Sequence, residues 1–396
     1  MNIAYITTKP PSLKSGSEVR NYHLLNALLQ ESKVTKVTLL YVNYDASAAD
    51  ISLQNVKLNP KVFSLPKRST FKAVRAYIGG TAPYVEHLVD NPFVDELVSV
   101  LRKVDAVVIS ELDGYLIAKL ALAVLKIKPK IILDCHNVDH LRFQSDILLS
   151  SFPKNIIGCW LFPKMKRDET EALNMADIIL CCSEKDRSSF SIFVPVEKIV
   201  VVPNGAEIST KFHSTKKSVN DNSVLFMGLL SYMPNEDGIK YYLEDIHPIV
   251  EQQVPNIKCI VVGKNPPQWL KDLSEKNPRI KVKGFVKDTK EYLEAATVCI
   301  CPLRFGSGTR LKILEYMGAR KAVVSTSIGA EGISVSNGKD ILIKDTPTSF
   351  AHAIVSLIKN PHLAKRIGDA SHQLISEQYD WRNIGKQFAM IVTGQR

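Results

Sequence analysis

Short apolar runs alternate with amphipathic segments along the first half of the chain. Several runs contain no alternate polar residue, which is typical of parallel strands that are buried on both faces. The segments between them, for example 19–28, have the spacing of helices. This alternation predicts a parallel sheet flanked by helices. The predicted strands are 3–7, 37–42, 106–110, 130–135, 178–182 and 199–202.

The pattern breaks near the middle of the chain and then restarts. Residues 202–207 have turn chemistry, and 214–223 is polar and rich in Lys and Asn. We therefore predict two doubly wound domains, 1–205 and 206–378, with a ligand cleft between them as the expected active site. Residues just after each strand are the ones to inspect, because ligands bind beyond the carboxyl ends of such strands. The second set of predicted strands is 224–228, 259–263, 280–286, 298–302, 322–326 and 340–343.

Composition agrees with two globular domains. The 396 residues are 45% hydrophobic and 23% charged, and no apolar run reaches the length of about 20 residues that spans a bilayer. The N-terminus enters a strand at once and lacks a signal peptide, so we expect a cytoplasmic protein. None of the seven cysteines forms a Cys-x-x-Cys pair, which argues against a zinc or redox site. Cys299 and Cys301 alternate in a predicted strand, where they act as small hydrophobic residues.

The net charge of +11 favours anionic partners. One basic block surrounds the apolar stretch 156–162, whose Trp and Phe favour a contact with an anionic membrane surface. The alternative is a solvated face beside a core segment. No nucleic-acid motif is present, so nucleic acid is not an expected partner. The basic residues are Lys57, Lys61, Lys67, Arg68, Lys72 and Arg75 in one block and Lys154, Lys164, Lys166 and Arg167 in the other.

The segment with the most chemistry follows predicted strand 298–302 and reads Phe305-Gly-Ser-Gly-Thr-Arg-Leu-Lys-Ile-Leu-Glu315. Its glycines let the backbone approach a ligand closely. We predict that Ser307 or Thr309 caps a helix starting near Arg310. The amides at such a helix start suit a diphosphate.

Two cations in the first turn of this helix oppose its dipole, so Arg310 and Lys312 favour an anionic partner. Glu315 lies about a turn and a half further on and can accept hydrogen bonds from both hydroxyls of a ribose. The alternative is a glycine-rich surface turn with a capped helix.

The segment from Phe305 to Thr326, followed by Gly329-Ala-Glu-Gly-Ile333, resembles the donor site of glycosyltransferase family 4. The resemblance implies α/β GT-B architecture, with two Rossmann-like domains facing across a cleft. It also implies a retaining transfer of a hexosyl group from a nucleotide sugar, often a UDP-sugar, without a metal or other cofactor. The first domain would serve the acceptor and the second the donor.

The resemblance carries several donor contacts to this sequence. Glu315 corresponds to the ribose-holding glutamate, and Glu331 belongs to the matching segment that follows. Where many members have a further glutamate, this chain has Ser307, so the backbone amides of Gly308 and Thr309 would contact the donor. Residues 284–288 resemble the loop that reads the base, with Val286 packing on it.

Members of the family also carry an Arg and a Lys after the first strand of the second domain. The corresponding segment here, 228–238, contains no cation. We therefore assign neutralisation of the donor diphosphate, and a catalytic role, to Arg310 and Lys312.

The first domain contributes two weaker matches. Residues 8–20 resemble a glycine loop in which Gly16 approaches the donor phosphate and Arg20 meets an anionic acceptor; the alternative is a plain loop with a surface Arg. His136, with acceptor-side Asn137, resembles the strand-terminal His that faces the donor sugar. We expect a neutral imidazole there, with Asp134 fixing its tautomer; a purely structural His is the alternative.

The terminal segment 379–396 resembles the helix that returns to the first domain, with Trp381 and Phe388 buried. The expected function is transfer of a sugar to a glycan or lipid-linked acceptor in envelope polysaccharide biosynthesis, at the inner face of the membrane. Two alternatives stay open. One is a nucleotide-sugar epimerase, for which no acid/base carboxylates could be placed at the sugar. The other is a non-catalytic partner subunit of the same fold.

Overall fold

The computed structural model describes residues 1–14, 16–43, 53–64, 91–149, 154–208, 222–306 and 308–395. The chain divides into two compact units, here called unit 1 (Met1–Asn204 with Trp381–Arg396) and unit 2 (Gly205–Asp380). The predicted division falls between 205 and 206, one residue from the observed one between 204 and 205.

Unit 1 is built on a parallel sheet in the order β3-β2-β1-β4-β5-β6-β7. The order reverses between β1 and β4, as in a doubly wound fold. Buried apolar side chains fill both faces of this sheet, which explains the continuous apolar runs of the sequence. The strands are β1 (Asn2–Thr7), β2 (Lys36–Asn43), β3 (Leu58–Ser64), β4 (Ala106–Ser110), β5 (Lys130–Asp134), β6 (Ile178–Cys181) and β7 (Ile199–Val201).

Strand β3 is absent from the predicted elements. It pairs with β2 along its whole length and forms one edge of the sheet. Pro60 lies inside it, and a proline within an apolar run argues against a central strand. An edge strand tolerates a residue without an amide N–H, because one side of its backbone has no neighbouring strand. Pro60 is therefore compatible with a strand at the edge of the sheet.

The helices of unit 1 cover both faces of its sheet, and the terminal helix packs against the first one. Trp381 and Phe388 are buried there, as predicted. A Cβ atom on Gly385 would lie 2.8 Å from the Cβ of Ala27, so the two helices approach closely at a residue that has no side chain. The described helices are α1 (Gly16–Gln30), α2 (Asn91–Leu101), α3 (Glu111–Val124), α4 (Asp139–Leu149), α5 (Lys154–Met175), α6 (Glu184–Phe190) and, at the end of the chain, α14 (Trp381–Thr393).

Unit 2 repeats the design with a parallel sheet in the order β10-β9-β8-β11-β12-β13. The predicted strand 280–286 ends early, at Val282, because Gly284 turns the backbone to a φ of 44°. Cys299 and Cys301 are free and buried in β11, as predicted. The strands are β8 (Ser223–Met227), β9 (Lys258–Val262), β10 (Ile280–Val282), β11 (Val298–Cys301), β12 (Val323–Ser325) and β13 (Leu342–Ile343).

The helices of unit 2 also lie on both faces of its sheet, where two hydrophobic clusters form the core. A π-helical turn at Tyr242–Ile246 joins the first two of them. Within the described ranges, no helix of the chain is both long enough and apolar enough to cross a bilayer. The helices are α7 (Met233–Tyr241), α8 (His247–Gln253), α9 (Gln268–Lys276), α10 (Lys290–Ala295), α11 (Leu311–Gly318), α12 (Pro347–Lys359) and α13 (Pro361–Gln378).

The terminal helix is a structural part of unit 1, and this can be tested at Phe388, which is fully buried. The substitution Phe388→Ala should lower the free energy of unfolding by about 3–5 kcal/mol, because it removes a large apolar group and leaves a cavity. Urea denaturation followed by fluorescence measures the change. The control is Lys386→Ala on the exposed face of the same helix, which should be close to neutral. Equal stability of the two variants would contradict the packing described here.

Candidate functional site

In unit 2 the polar residues of interest lie at the carboxyl edge of two neighbouring strands. Strand β8 ends at Met227 and is followed by Gly228, and β11 ends at Cys301 and leads to the glycine loop. These strands pair side by side, and the strand order reverses between them. Such a reversal opens a crevice at the strand ends, where ligands of doubly wound sheets bind.

The glycine loop runs from the end of β11 into helix α11. Gly306 has a φ of 115° and Gly308 a φ of 79°, values that favour glycine over other residues. The helix begins at Leu311, and Arg310 is its N-cap residue without a side-chain capping bond. The prediction of a cap by Thr309 is therefore wrong, and Ser307 lies outside the described residues. The Thr309 hydroxyl is buried and has no hydrogen-bond partner among the described residues.

Lys312 lies in the first turn of α11, as predicted, but points toward β8. Its Nζ donates a hydrogen bond to Oδ1 of Asn235 at 2.7 Å and lies 4.1 Å from the ring centroid of Phe226. Burial lowers the pKa of Lys312 to about 8, and the nearby Arg310 acts in the same direction. At neutral pH Lys312 is therefore mostly protonated, but it loses its proton at a lower pH than an exposed lysine does.

Glu315 stands one turn further along α11 and reaches solvent. The protein around its carboxyl group still displaces enough water to raise its pKa to about 7; Glu207 adds to this rise, and Lys312 opposes it. Water at the exposed side chain screens part of these effects. A carboxyl group with a raised pKa close to the cations Arg310 and Lys312 fits a role in holding a polar ligand.

The two remaining predicted donor contacts lie on other loops of unit 2. Val286 is half-buried and packs against the hydrophobic cluster beneath helix α11. Glu331 is half-buried in the turn after β12, next to Gly332, whose φ is 79°. Both follow strands of the same sheet at its carboxyl edge. Their contact with a donor stays a prediction.

In unit 1 the structure corrects the role predicted for Arg20. Its side chain is buried, with 1% of its surface exposed, and is not a surface cation that could meet an acceptor. The guanidinium bonds Asp134 through Nη2 at 2.6 Å and Nε at 3.0 Å, and Nη1 donates to the carbonyl of Pro203 at 3.1 Å. Burial opposes ionisation of Asp134, but Arg20 and then His136 hold its pKa well below the usual range. Arg20 thus positions Asp134.

His136 is buried beside this pair, at the predicted strand end. Its Nε2 lies 3.1 Å from Oδ2 of Asp134 and 3.2 Å from Oγ of Ser110. Burial alone lowers the pKa of His136, but Glu111 and Asp134 outweigh it and raise the pKa to about 9. The prediction of a neutral imidazole is therefore wrong, because two carboxylates flank the ring and favour the imidazolium form.

Glu111 is the site residue that the sequence analysis missed. It follows strand β4 directly and adopts a φ of 64°, which is rare for a residue other than glycine. Its Oε1 accepts a hydrogen bond from Ser17 at 2.7 Å and lies 3.2 Å from Nδ1 of His136. That contact lacks regular hydrogen-bond geometry, so the buried Nδ1 has no regular partner among the described residues. Its signal in the sequence is its place directly after predicted strand 106–110, because ligands bind at the carboxyl ends of parallel strands.

The charges of this cluster balance. Burial raises the pKa of Glu111, but His136 and the Ser17 hydroxyl outweigh burial and lower it to about 2. Two carboxylates, Glu111 and Asp134, thus face two cations, Arg20 and His136. A cluster without net charge suits hydroxyl groups better than an anion.

The last two predicted residues of unit 1 lie at the same edge of its sheet. Gly16 is exposed and opens helix α1, and Asn137 is half-buried directly after His136. Their ligand contacts stay predictions. Across the described ranges, no group of three or more His, Cys, Asp or Glu side chains is arranged to hold a metal ion.

Most of unit 2 matches a known protein family. Residues 221–360 match the family described as glycosyl transferases group 1. The match includes the crevice at β8 and β11, the glycine loop and helix α11. The matching residues thus make up most of unit 2.

Two curated relatives extend the comparison into longer stretches of sequence. An uncharacterized 44.6 kDa protein in the cps region of Klebsiella pneumoniae is 30% identical over 210 residues, which are 51% of this chain and 52% of that protein. An uncharacterized glycosyltransferase of Methanocaldococcus jannaschii is 27% identical over 292 residues, 70% of each chain. The chain thus matches about half the length of the first relative.

Solved structures share the fold over nearly the full chain. Sucrose-phosphate synthase of Thermosynechococcus elongatus gives a TM-score of 0.73 at 15% identity and covers 99% of this chain and 98% of its own. HepE of Anabaena, solved in complex with UDP-glucose, gives 0.68 at 15% identity with both chains fully covered. The predicted α/β fold class, two Rossmann-like parallel-sheet domains of the GT-B type, is confirmed.

The protonation of His136 gives a test of the unit 1 cluster. Substituting Glu111→Gln should lower the pKa of His136 from its raised value of about 9, since it removes the carboxylate nearest to Nδ1. In the wild type, the stability due to the charged His is fully present below pH about 6.5 and is lost as the pH rises through about 9. NMR titration of the His side chains measures both effects.

The control for this titration is Glu96→Gln, which removes an exposed carboxylate paired with Lys61 at another place in unit 1. It should leave the titration of His136 unchanged. A wild-type His136 that titrates near its ordinary value, or a Glu111→Gln variant with an unaltered pKa, would contradict the description of this cluster.

Proposed function

We propose that the chain is a retaining glycosyltransferase that transfers a hexosyl group from a nucleotide-diphosphate sugar, a UDP-sugar in the first instance. One observation carries the proposal. Arg310 and Lys312 meet at the strand-order reversal of a sheet whose glycine loop and helix start present backbone amides. This combination binds a diphosphate through charge and hydrogen bonds together. That HepE was solved with UDP-glucose supports the choice of donor.

The donor is held along the carboxyl edge of unit 2. Glu315 accepts the ribose hydroxyls, and Val286 packs on the base. The amides of Gly308 and Thr309 approach the phosphates, together with the Thr309 hydroxyl that has no partner among the described residues. Ser307 and Glu331 complete the predicted donor contacts. No residue of this set requires a bound metal, because Arg310 and Lys312 supply the positive charge.

The chemical step is departure of the nucleoside diphosphate. As the glycosidic bond breaks, negative charge grows on the leaving phosphate. Arg310, Lys312 and the amides at the start of α11 stabilise that charge electrostatically. The acceptor hydroxyl attacks from the face that the phosphate leaves and passes its proton to an oxygen of the departing diphosphate, so the configuration of the sugar is retained. Because its pKa is raised, His136 is a cation in this scheme, and its charge holds Glu111 and Asp134 beside the acceptor.

The acceptor is a glycan or a lipid-linked glycan of the cell envelope, bound through unit 1. The balanced charges at Glu111 and His136 favour a neutral hydroxyl-bearing acceptor group over an anionic one. The relative from the cps region of Klebsiella pneumoniae supports a role in polysaccharide biosynthesis. Contact with anionic lipids at the inner face of the membrane would bring the enzyme to a lipid-linked acceptor.

The surface that we propose for this lipid contact is the start of helix α5. Ile156, Trp160 and Arg167 lie on one face of the helix, since they are spaced by four and seven residues. Trp160 is 55% exposed and Ile156 59% exposed, and Arg167 is also exposed. Lys164 contributes little charge because Asp168 binds it at 2.6 Å. Of the other basic block, Lys61 pairs with Glu96, and 65–90 lies outside the described residues.

An epimerase of the same fold remains the second candidate, and one observation favours it. Two carboxylates, Glu111 and Asp134, flank His136 in unit 1, and the sequence analysis had placed no such set. Incubation with UDP-sugars alone, followed by chromatography of the sugars, separates the two. Formation of an epimer without any acceptor would replace the transferase proposal. If no nucleotide sugar binds, the chain is a non-catalytic partner subunit.

Arg310 tests the electrostatic step. The substitution Arg310→Ala should lower turnover by about 100- to 1,000-fold, as expected for the loss of one stabilising donor at a developing oxyanion. Release of nucleoside diphosphate from the nucleotide sugar that binds the wild type measures turnover. Arg366→Ala removes an exposed arginine of the same unit and should leave it unchanged. Undiminished turnover in Arg310→Ala would refute the assignment.

Trp160 tests the lipid contact. The double variant Ile156→Ser, Trp160→Ser should reduce co-sedimentation with phosphatidylglycerol vesicles several-fold, because it removes the apolar side chains that would enter the interface. Ile192→Ser changes an even more exposed apolar residue elsewhere in unit 1 and serves as the control. Equal loss in both variants, or none in either, would show that this helix face does not bind lipid.

A further inference from the structure

The turn after β8 obtains its positive charge from another element. Residues 228–238 contain no Lys or Arg. The ammonium group of Lys312, from helix α11, nevertheless lies at this turn. It sits 4.1 Å from the ring centroid of Phe226 in β8, and a Cβ atom on Gly228 would lie 2.8 Å from Nζ. Gly228 therefore leaves the space that the lysine occupies, and a side chain there would displace it.

Asn235 holds the ammonium group in that place. The residue is buried, with 6% of its surface exposed, at the start of helix α7. Its Nδ2 donates to the carbonyl of Leu229 at 2.9 Å, and its Oδ1 accepts from Lys312 Nζ at 2.7 Å. Both bonds require the same orientation of the amide, because a carbonyl and an ammonium group each allow only one of its two ends. The side chain is thus fixed from both sides.

The first turns of helix α7 are also locked against the glycine loop. A Cβ atom on Gly238 would lie 2.8 Å from Cδ2 of Leu303, so the helix packs directly on the segment after β11. Asp237 accepts a hydrogen bond from Nε of Arg304 at 2.9 Å. A Cβ atom on Gly306 would lie 3.4 Å from Pro234. The segment 234–238 therefore keeps a fixed distance to the loop that carries Arg310.

An amide is the partner that suits an anion-binding lysine. An aspartate of the same shape would also accept a hydrogen bond from Lys312, but it could not donate to the carbonyl of Leu229, and its negative charge would cancel the charge that an anion needs. A neutral oxygen orients the ammonium group and leaves its charge available. An apolar partner would hold the lysine less firmly. The flexible side chain of Lys312 would then become ordered only when the ligand binds, and the entropy lost in that step would weaken binding.

We infer that Asn235 is a positioning residue that holds Lys312 at the end of β8, where the lysine binds the phosphate groups of a nucleoside diphosphate. The inference rests on the proposed function of unit 2. It adds to it a residue outside the matched donor motif, and it explains how a turn without cations acquires one. Asn235 acts on the ligand through Lys312 and makes no contact with it.

The experiment measures binding of UDP and of uridine by calorimetry, after a wild-type screen of UDP, GDP and ADP has shown that UDP binds. Asn235→Asp and Asn235→Ala should each weaken UDP binding about 10-fold, which corresponds to about 1.4 kcal/mol, and leave uridine binding unchanged. Lys312→Ala should weaken UDP binding by at least the same factor. Asn256→Asp, at an exposed asparagine of the same unit, should bind both ligands like the wild type.

Two further readouts separate positioning from a merely structural role. In the double variant Asn235→Ala, Lys312→Ala, the loss should not exceed that of Lys312→Ala alone, because the two residues act as a unit. UDP binding by the wild type should weaken as the pH rises past about 8, where Lys312 loses its proton. Asn235→Asp should move this fall to higher pH. The other groups facing Lys312 are Arg310, Glu315 and Cys301, which the wild type and Asn235→Asp both retain.

The outcomes are distinct. If UDP binds the wild type and Asn235→Asp equally well, or if the two alanine substitutions weaken binding additively, the inference is wrong and the proposed function stands. If both UDP and uridine binding are lost in the Asn235 variants while their melting curves match the wild type, Asn235 shapes the whole site and does not position Lys312. If the wild type binds none of the three diphosphates, the proposed function fails and this inference fails with it.

Discussion

The burial of both parallel sheets on both faces is the constraint on which the rest of the structure depends. Such strands accept apolar side chains almost exclusively, since a polar group inside them would lose its bonds to water. Polar chemistry is therefore concentrated at the carboxyl ends of the strands and in the residues that follow them. In unit 1 these include Glu111 and His136, and in unit 2 Gly228 and the glycine loop before Arg310. The architecture of the sheets therefore leaves few positions at which a polar functional residue can lie.

The two units use charge differently at this edge. Unit 1 sets the cations Arg20 and His136 against the carboxylates Asp134 and Glu111, and the buried pair of Arg20 and Asp134 is the firmest of these contacts. Breaking such a pair by removing one partner leaves a buried charge without compensation, which costs several kcal/mol. Unit 2 instead brings Arg310 and Lys312 together and gives Lys312 a neutral partner, Asn235. Paired charges favour neutral hydroxyls, and a cation with a neutral partner favours an anion.

Strain and pKa shifts occur where these polar groups crowd. Glu111 keeps a positive φ beside His136, and residues with such backbone conformations cluster at functional sites. The carboxylates around His136 raise its pKa, whereas burial lowers that of Lys312 and the nearby protein that displaces water raises that of Glu315. Groups shifted toward neutrality change their charge within the range of physiological pH. Groups with shifted pKa values cluster at functional sites.

The sequence alone determined the fold class and almost every strand, because hydrophobic period and glycine spacing are local signals. It missed strand β3, whose Pro60 is tolerated only at a sheet edge. It misjudged Arg20, because the carboxylate that buries it, Asp134, lies 114 residues away. It misjudged His136, because its charge depends on Glu111, which follows a different strand. The partnership of Asn235 with Lys312 spans 77 residues. Only the tertiary structure decides such pairings, since the sheet order brings together strand ends that the chain keeps apart.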